Sequence, residues 1–181
     1  IYNYKELFAK INTTPITDSD CEIIIHLYKL YGIEYTLRLL DGVYSFILYD
    51  YNESQLEPVI YVARDPYGVR PLYLLEPNSE YNKTRNETPT NTSLTLENII
   101  GFASELKVLN SLLNRNNQML HYGVNNNIST TSLSASLTKV PYHIRQFEPG
   151  TYMSFNCAFK SHSSWSVLTS PTKFHIPLHS H

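Results

Sequence analysis

Apolar residues recur at helical spacing in one early stretch, where Ile24, Leu27, Tyr28 and Tyr31 fall at i, i+3, i+4 and i+7. Ser19 followed by Glu22 reads as a capping box, in which the hydroxyl takes an orphan N–H and the carboxylate reaches back. Gly32 reads as the stop, and Ile33 to Leu40 as a second, shorter helix. Tyr4 to Lys10 is also compatible with a short helix. The pattern changes at Asp41-Gly42. Val43 to Tyr49 is a dense run of β-branched and aromatic residues, which predicts a strand buried on both faces. Further strands are predicted at 59–63, 72–75 and 99–103, and a helix at 104–113 with Leu106, Leu109 and Leu113 inward. A last pair of extended segments lies at 140–146 and 151–155, joined by Glu148-Pro149-Gly150. Helices first and then antiparallel-looking strands make the class α+β.

Composition narrows the picture. In 181 residues, 42% are hydrophobic and 17% charged, which is globular and not a disordered composition. The net charge of -2 disfavours a general nucleic-acid binder. No apolar run approaches the ~20 residues that span a bilayer. Cys21 and Cys157 are too few for a disulfide scaffold. The stretches 78–98 and 114–139, rich in Asn, Ser and Thr, read as polar insertions, and 156–181 as an irregular tail. The chain starts at Ile1 without a signal-peptide pattern, so a fragment is expected.

Several residues could carry chemistry. Six Asn-x-Ser/Thr patterns, at Asn12, Asn52, Asn82, Asn86, Asn91 and Asn127, read as chance in such a chain. His179 and His181 lie two apart, but no second pair has ligand spacing, so no metal site is expected. Cys21, at the second position of the predicted helix, is either a thiol of lowered pKa or a small packing residue, and Glu22 beside it favours the second. Asp18 and Asp20 flank Ser19. First-turn carboxylates are stabilised by the helix's positive end, and that alone would explain them. Alternatively, Asp20 projects into a pocket and pairs with a ligand ammonium. The string Arg64-Asp65-Pro66-Tyr67-Gly68-Val69-Arg70-Pro71-Leu72 reads as a rigid turn closed by an Arg–Asp pair, or as an anion-binding turn.

These strings together resemble class II (N-terminal-nucleophile) glutamine amidotransferase domains. Ile1-Tyr2-Asn3 resembles the end of the family's Asn-Gly-Glu-Ile-Tyr-Asn motif, and 17–22 its Ser-Asp-Cys-Glu helix start. Leu40-Asp41-Gly42 with 46–50 resembles its central strand, and Ala63 to Tyr73 its Ala-Arg-Asp-Pro-x-Gly-Val-Arg-Pro-Leu-Tyr turn. Phe102-Ala103-Ser104-Glu105 and Phe147-Glu148-Pro149-Gly150 resemble two further blocks, in order. Cys21 after Asp20, and Leu106-Lys107, look most like glutamine-hydrolysing asparagine synthetase.

The resemblance implies an αββα sandwich of two antiparallel sheets, incomplete at its N-terminus, over residues 1–155. It implies a glutaminase that releases ammonia for ATP-dependent amidation of aspartate in a synthetase domain, where ATP and Mg would bind. Another class II amidotransferase (amidophosphoribosyltransferase or glucosamine-fructose-6-phosphate aminotransferase), or a non-catalytic remnant, is the alternative. The family's nucleophile is a mature N-terminal Cys that attacks the glutamine amide. An Asn side chain and a Gly N–H hold the oxyanion, and losing such a donor costs about 100- to 1000-fold in rate. None of these residues has a counterpart here, so no catalytic or cofactor-binding residue is assigned and the chain alone is expected to be inactive. The one site residue that maps is Asp20, implied to pair with the α-ammonium of glutamine. A cytoplasmic location is implied, with a homodimer as one assembly.

Overall fold

A computed structural model describes residues 1–51, 58–77, 101–114, 142–158 and 164–174. The predicted insertions, beyond Asn114, lie outside these residues. The chain divides into two compact units.

The first unit comprises Ile1–Arg70, Glu148–Ala158 and Ser166–His181. It contains α1 (Tyr4–Lys10), α2 (Glu22–Leu39), β1 (Ser45–Asp50), β2 (Val59–Arg64), β6 (Thr151–Ala158) and most of β7 (Ser164–Lys173). The sheet order is β1-β2-β6-β7. β1 and β2 are antiparallel, with Ser45 opposite Arg64 and Asp50 opposite Val59. β2 and β6 are antiparallel, with Ala63 opposite Tyr152. Cross-strand partners share a face, so Tyr44, Phe46, Tyr61, Ala63 and Tyr152 line one side of the sheet. These pack with Leu7, Phe8, Ile23, Ile24, Leu27 and Leu37 of the two helices in one apolar core.

The second unit, Pro71–Phe147 with Phe159–Trp165, holds β3 (Tyr73–Pro77), β4 (Gly101–Ala103) and β5 (Tyr142–Gln146) in the order β4-β3-β5. Both pairings are antiparallel. Leu75, Leu109 and Tyr142 form its buried core, with Leu113 and Ile144 against them. Arg145 donates to Glu76 across the pair, 2.5 Å from Nε to Oε1.

The α+β class and two antiparallel sheets agree with the reading of the sequence, and several details correct it. Residues 164–173, read as part of an irregular tail, form the edge strand β7. Its Ser residues and Pro171 argue against a strand, but an edge position tolerates a missing N–H. β1 is not buried on both faces. It is also an edge strand, and Ile47 and Tyr49 at the sheet margin are about half exposed. The segments on either side of Pro149 do not pair with each other; they belong to different sheets. Leu106 is exposed rather than inward. Gly32 does interrupt the second helix. Its torsions, φ 76° and ψ 176°, are non-helical within Glu22–Leu39.

Candidate functional site

The site is built on the loop before α2. Glu22, the first residue of the helix, does not reach back to Ser19 as a capping box would. Its carboxylate accepts from the backbone N–H of Ile16 at 2.8 Å and of Thr17 at 2.6 Å, and from the Thr17 hydroxyl at 2.5 Å. His26, one turn on, places Nε2 3.1 Å from Glu22 Oε1, and its ring stands edge-on to Phe8 of α1. These hydrogen bonds hold the Glu22 carboxyl at about 2, far below its ordinary 4.5. Inside the loop, the Thr17 and Ser19 hydroxyls accept from Ser19 and Cys21 N–H, each at 3.3 Å. The carbonyl of Ser19 accepts from Glu22 N–H at 3.2 Å. Cys21 therefore sits at the N-cap, two positions earlier in the helix than predicted.

Asp20 lies at the crest of this loop, its side chain 44% exposed. Oδ2 accepts a hydrogen bond from the nitrogen of Ile1. Ile1 is fixed from its other side: Tyr2 N–H donates to Asp41 O at 2.7 Å, and the Asn3 amide donates to Leu39 O at 2.9 Å. Asp20 is thus an acceptor aimed at an N–H donor. Its other oxygen, Oδ1, accepts from the Cys21 thiol at 3.7 Å.

Cys21 is exposed, so it does not fill a packing role. Burial of the thiol and the adjacent Asp20 charge push its pKa up, which works against a thiolate nucleophile. An apolar cavity of about 330 Å³ between α1 and α2 is lined in part by Leu7, Lys10, Leu27 and Tyr31, and does not include Asp20.

The turn after β2 is structural. Asp65 is fully buried, and its carboxylate accepts from the N–H groups of Tyr67, Val69 and Arg70 at 3.0–3.1 Å. Its carbonyl accepts from Gly68 and Gly150. Arg64, equally inaccessible, donates to the carbonyls of Arg70 and Gly68, each at 2.7 Å. The Asp65 carboxylate and the Arg64 guanidinium are therefore both turned onto the chain's own backbone, while Arg70 is exposed. Among the described residues, no cluster of His, Cys, Asp or Glu is placed to hold a metal ion.

With this geometry in hand, comparison with known proteins is direct. Residues 1–166 match the family of glutamine amidotransferase domains, and the chain belongs to that family. It is 40% identical over 113 residues to a probable glutamine-hydrolyzing asparagine synthetase of Acanthamoeba polyphaga mimivirus, covering 62% of this chain and 17% of that protein. It is 45% identical over 75 residues to the glutamine-hydrolyzing asparagine synthetase of Zea mays, covering 41% and 12%. The same enzyme of Gallus gallus is 45% identical over 73 residues, covering 40% and 12%. The matched stretches are thus less than a fifth of these relatives' lengths.

Proposed function

We propose that this chain is part of the glutaminase domain of a glutamine-hydrolysing asparagine synthetase, and that Asp20 binds the α-ammonium of glutamine. The observation that carries the second part is the orientation of the Asp20 carboxylate toward an N–H donor, the Ile1 nitrogen. A carboxylate so aimed forms a charge-assisted bond with an ammonium without rearranging. The names of the relatives, glutamine-hydrolyzing asparagine synthetases, support the first part; ammonia delivery to aspartate belongs to the same reading. ATP and Mg belong, in this reading, to the synthetase domain, and the described residues gather no metal-binding cluster for them. No Cys in the chain stands in the position of the family's nucleophile, so residues 1–181 by themselves release no ammonia. The same reading carries a cytoplasmic location, with a homodimer among the assemblies it allows. Among the described residues no helix is long and apolar enough to cross a membrane.

The test is Asp20→Asn in the full-length enzyme. Asn keeps an acceptor for the Ile1 nitrogen but loses the charge. A charged partner at this degree of exposure is worth about 1.5–3 kcal/mol, so the glutamine KM should rise roughly 10- to 100-fold. Ammonia-dependent synthesis should be spared, because free ammonia bypasses the glutamine site. An unchanged KM would remove Asp20 from the substrate.

A further inference from the structure

Asp20 needs a fixed position to act as proposed, and the loop that carries it is exposed from Asn12 almost to Glu22. Little apolar packing is available there to hold it: Ile16 is 86% exposed. Besides the short-range hydrogen bonds within it, one side chain ties the loop's two ends together. The Glu22 carboxylate takes three hydrogen bonds from Ile16 and Thr17, at the loop's far side, while its own backbone begins α2. Asp20 lies on the short arc between these ends. His26 and Phe8 brace the carboxylate from behind.

We propose that Glu22 and the Thr17 hydroxyl are positioning residues for glutamine: they close the 16–22 loop and so set where the Asp20 carboxylate stands. This rests on the ammonium reading of Asp20 and extends it to residues that never touch the substrate. Charge alone does not explain the arrangement. A carboxylate that only complemented the helix dipole could stay in solvent, whereas this one is spent on three specific donors upstream.

The experiment uses the full-length enzyme and four variants: E22Q, T17V, T17S and, as reference, D20N. Gln at 22 keeps one acceptor but turns an amide NH₂ toward a backbone N–H. A sub-ångström drift of Asp20 should then raise the glutamine KM about ten-fold, with glutaminase kcat and ammonia-dependent synthesis little changed. T17V should raise KM by a smaller factor, and T17S, which restores the hydroxyl, should recover the parent value. If E22Q and T17V instead lower glutamine- and ammonia-dependent rates together with the melting temperature, the contacts serve stability alone and the proposal fails. A raised KM in D20N beside an unchanged KM in E22Q overturns the clamp but not the ammonium site. An unchanged KM in D20N overturns both.

Discussion

The phenol of Tyr28 on α2 donates a 2.6 Å hydrogen bond to Oδ2 of Asp50, the last residue of β1. The two are 22 positions apart in the chain. This bond links the helix that begins at the Asp20 loop to the edge strand beneath it. Burial, and then the hydrogen bond to Asp50, push the Tyr28 pKa upward, so the phenol remains a donor through the neutral range. Its ring also rests 5.4 Å from that of Tyr61.

Tyr28→Phe keeps the ring contacts and removes only the hydroxyl. It should destabilise the fold by about 1–2 kcal/mol, the worth of a partly buried hydrogen bond to a charged acceptor. Denaturant melts of Y28F, D50N and the double variant would show it as a coupling energy. Strict additivity would mean that the bond contributes nothing in solution.

Gly68 holds φ at +65°, and a Cβ there would lie 2.7 Å from Cγ of Pro149 and 3.1 Å from the Arg64 guanidinium. Gly68→Ala should therefore cost about 1–3 kcal/mol from torsion alone, with the contact added. Adding Pro149→Ala should recover the contact portion and leave the torsional one. Thermal melts of the two variants separate the contributions. Equal melting temperatures for G68A and the parent would contradict the turn geometry.

Asp65→Asn is nearly isosteric but replaces an acceptor oxygen with an NH₂ group. At least one of the N–H groups of Tyr67, Val69 and Arg70 would then face a donor inside a fully buried turn. The expected loss is about 3 kcal/mol, and Asp65→Ala should be worse. A D65N protein as stable as the parent in urea would show that the turn is not held through this carboxylate.

Glu22 sets a pH dependence whose sign is fixed by its depressed pKa. The unfolded carboxyl takes its proton near 4.5 and the folded one near about 2. The stabilisation is therefore complete above 4.5 and is lost as pH falls toward 2. His26 faces Glu22 from one turn away. Comparing urea midpoints of the parent and E22Q from pH 6 down to 2 isolates the Glu22 part. The gap between them should narrow below pH 4.5; a gap of constant width would refute the assignment.

What the sequence disclosed follows from periodicity and punctuation. The apolar run at 59–63 and the Gly-Pro spacing of 64–72 are local signals, and both correspond to observed elements. Asp20 became a candidate only through the resemblance of its neighbours to a family, because an acid in a first turn is commonplace. The partners were not legible. The reach of Glu22 to Ile16 and Thr17 runs backward out of the helix, where a capping rule points to Ser19. The three backbone donors on Asp65 replace the side-chain pairing with Arg64 that adjacency invites. β7 escaped notice because Ser, Thr and Pro dominate it. Its partnership with β6 is carried in part by Thr169, whose hydroxyl lies 2.9 Å from both the Ser154 nitrogen and the Ser154 hydroxyl.

The break in α2 at Gly32 has a consequence for how this chain can vary. No heavy atom lies within 4 Å of where a Cβ at position 32 would stand, so space there is free. The torsions φ 76° and ψ 176° nevertheless belong to a region that residues with a side chain scarcely enter. The hydroxyl of Thr36 seals the gap by donating to the Gly32 carbonyl at 2.7 Å. A ranking of positions by crowding would place Gly32 among the most replaceable in the molecule. Its backbone makes it one of the least, and any larger residue would force the two halves of the helix to find a new angle on the sheet below.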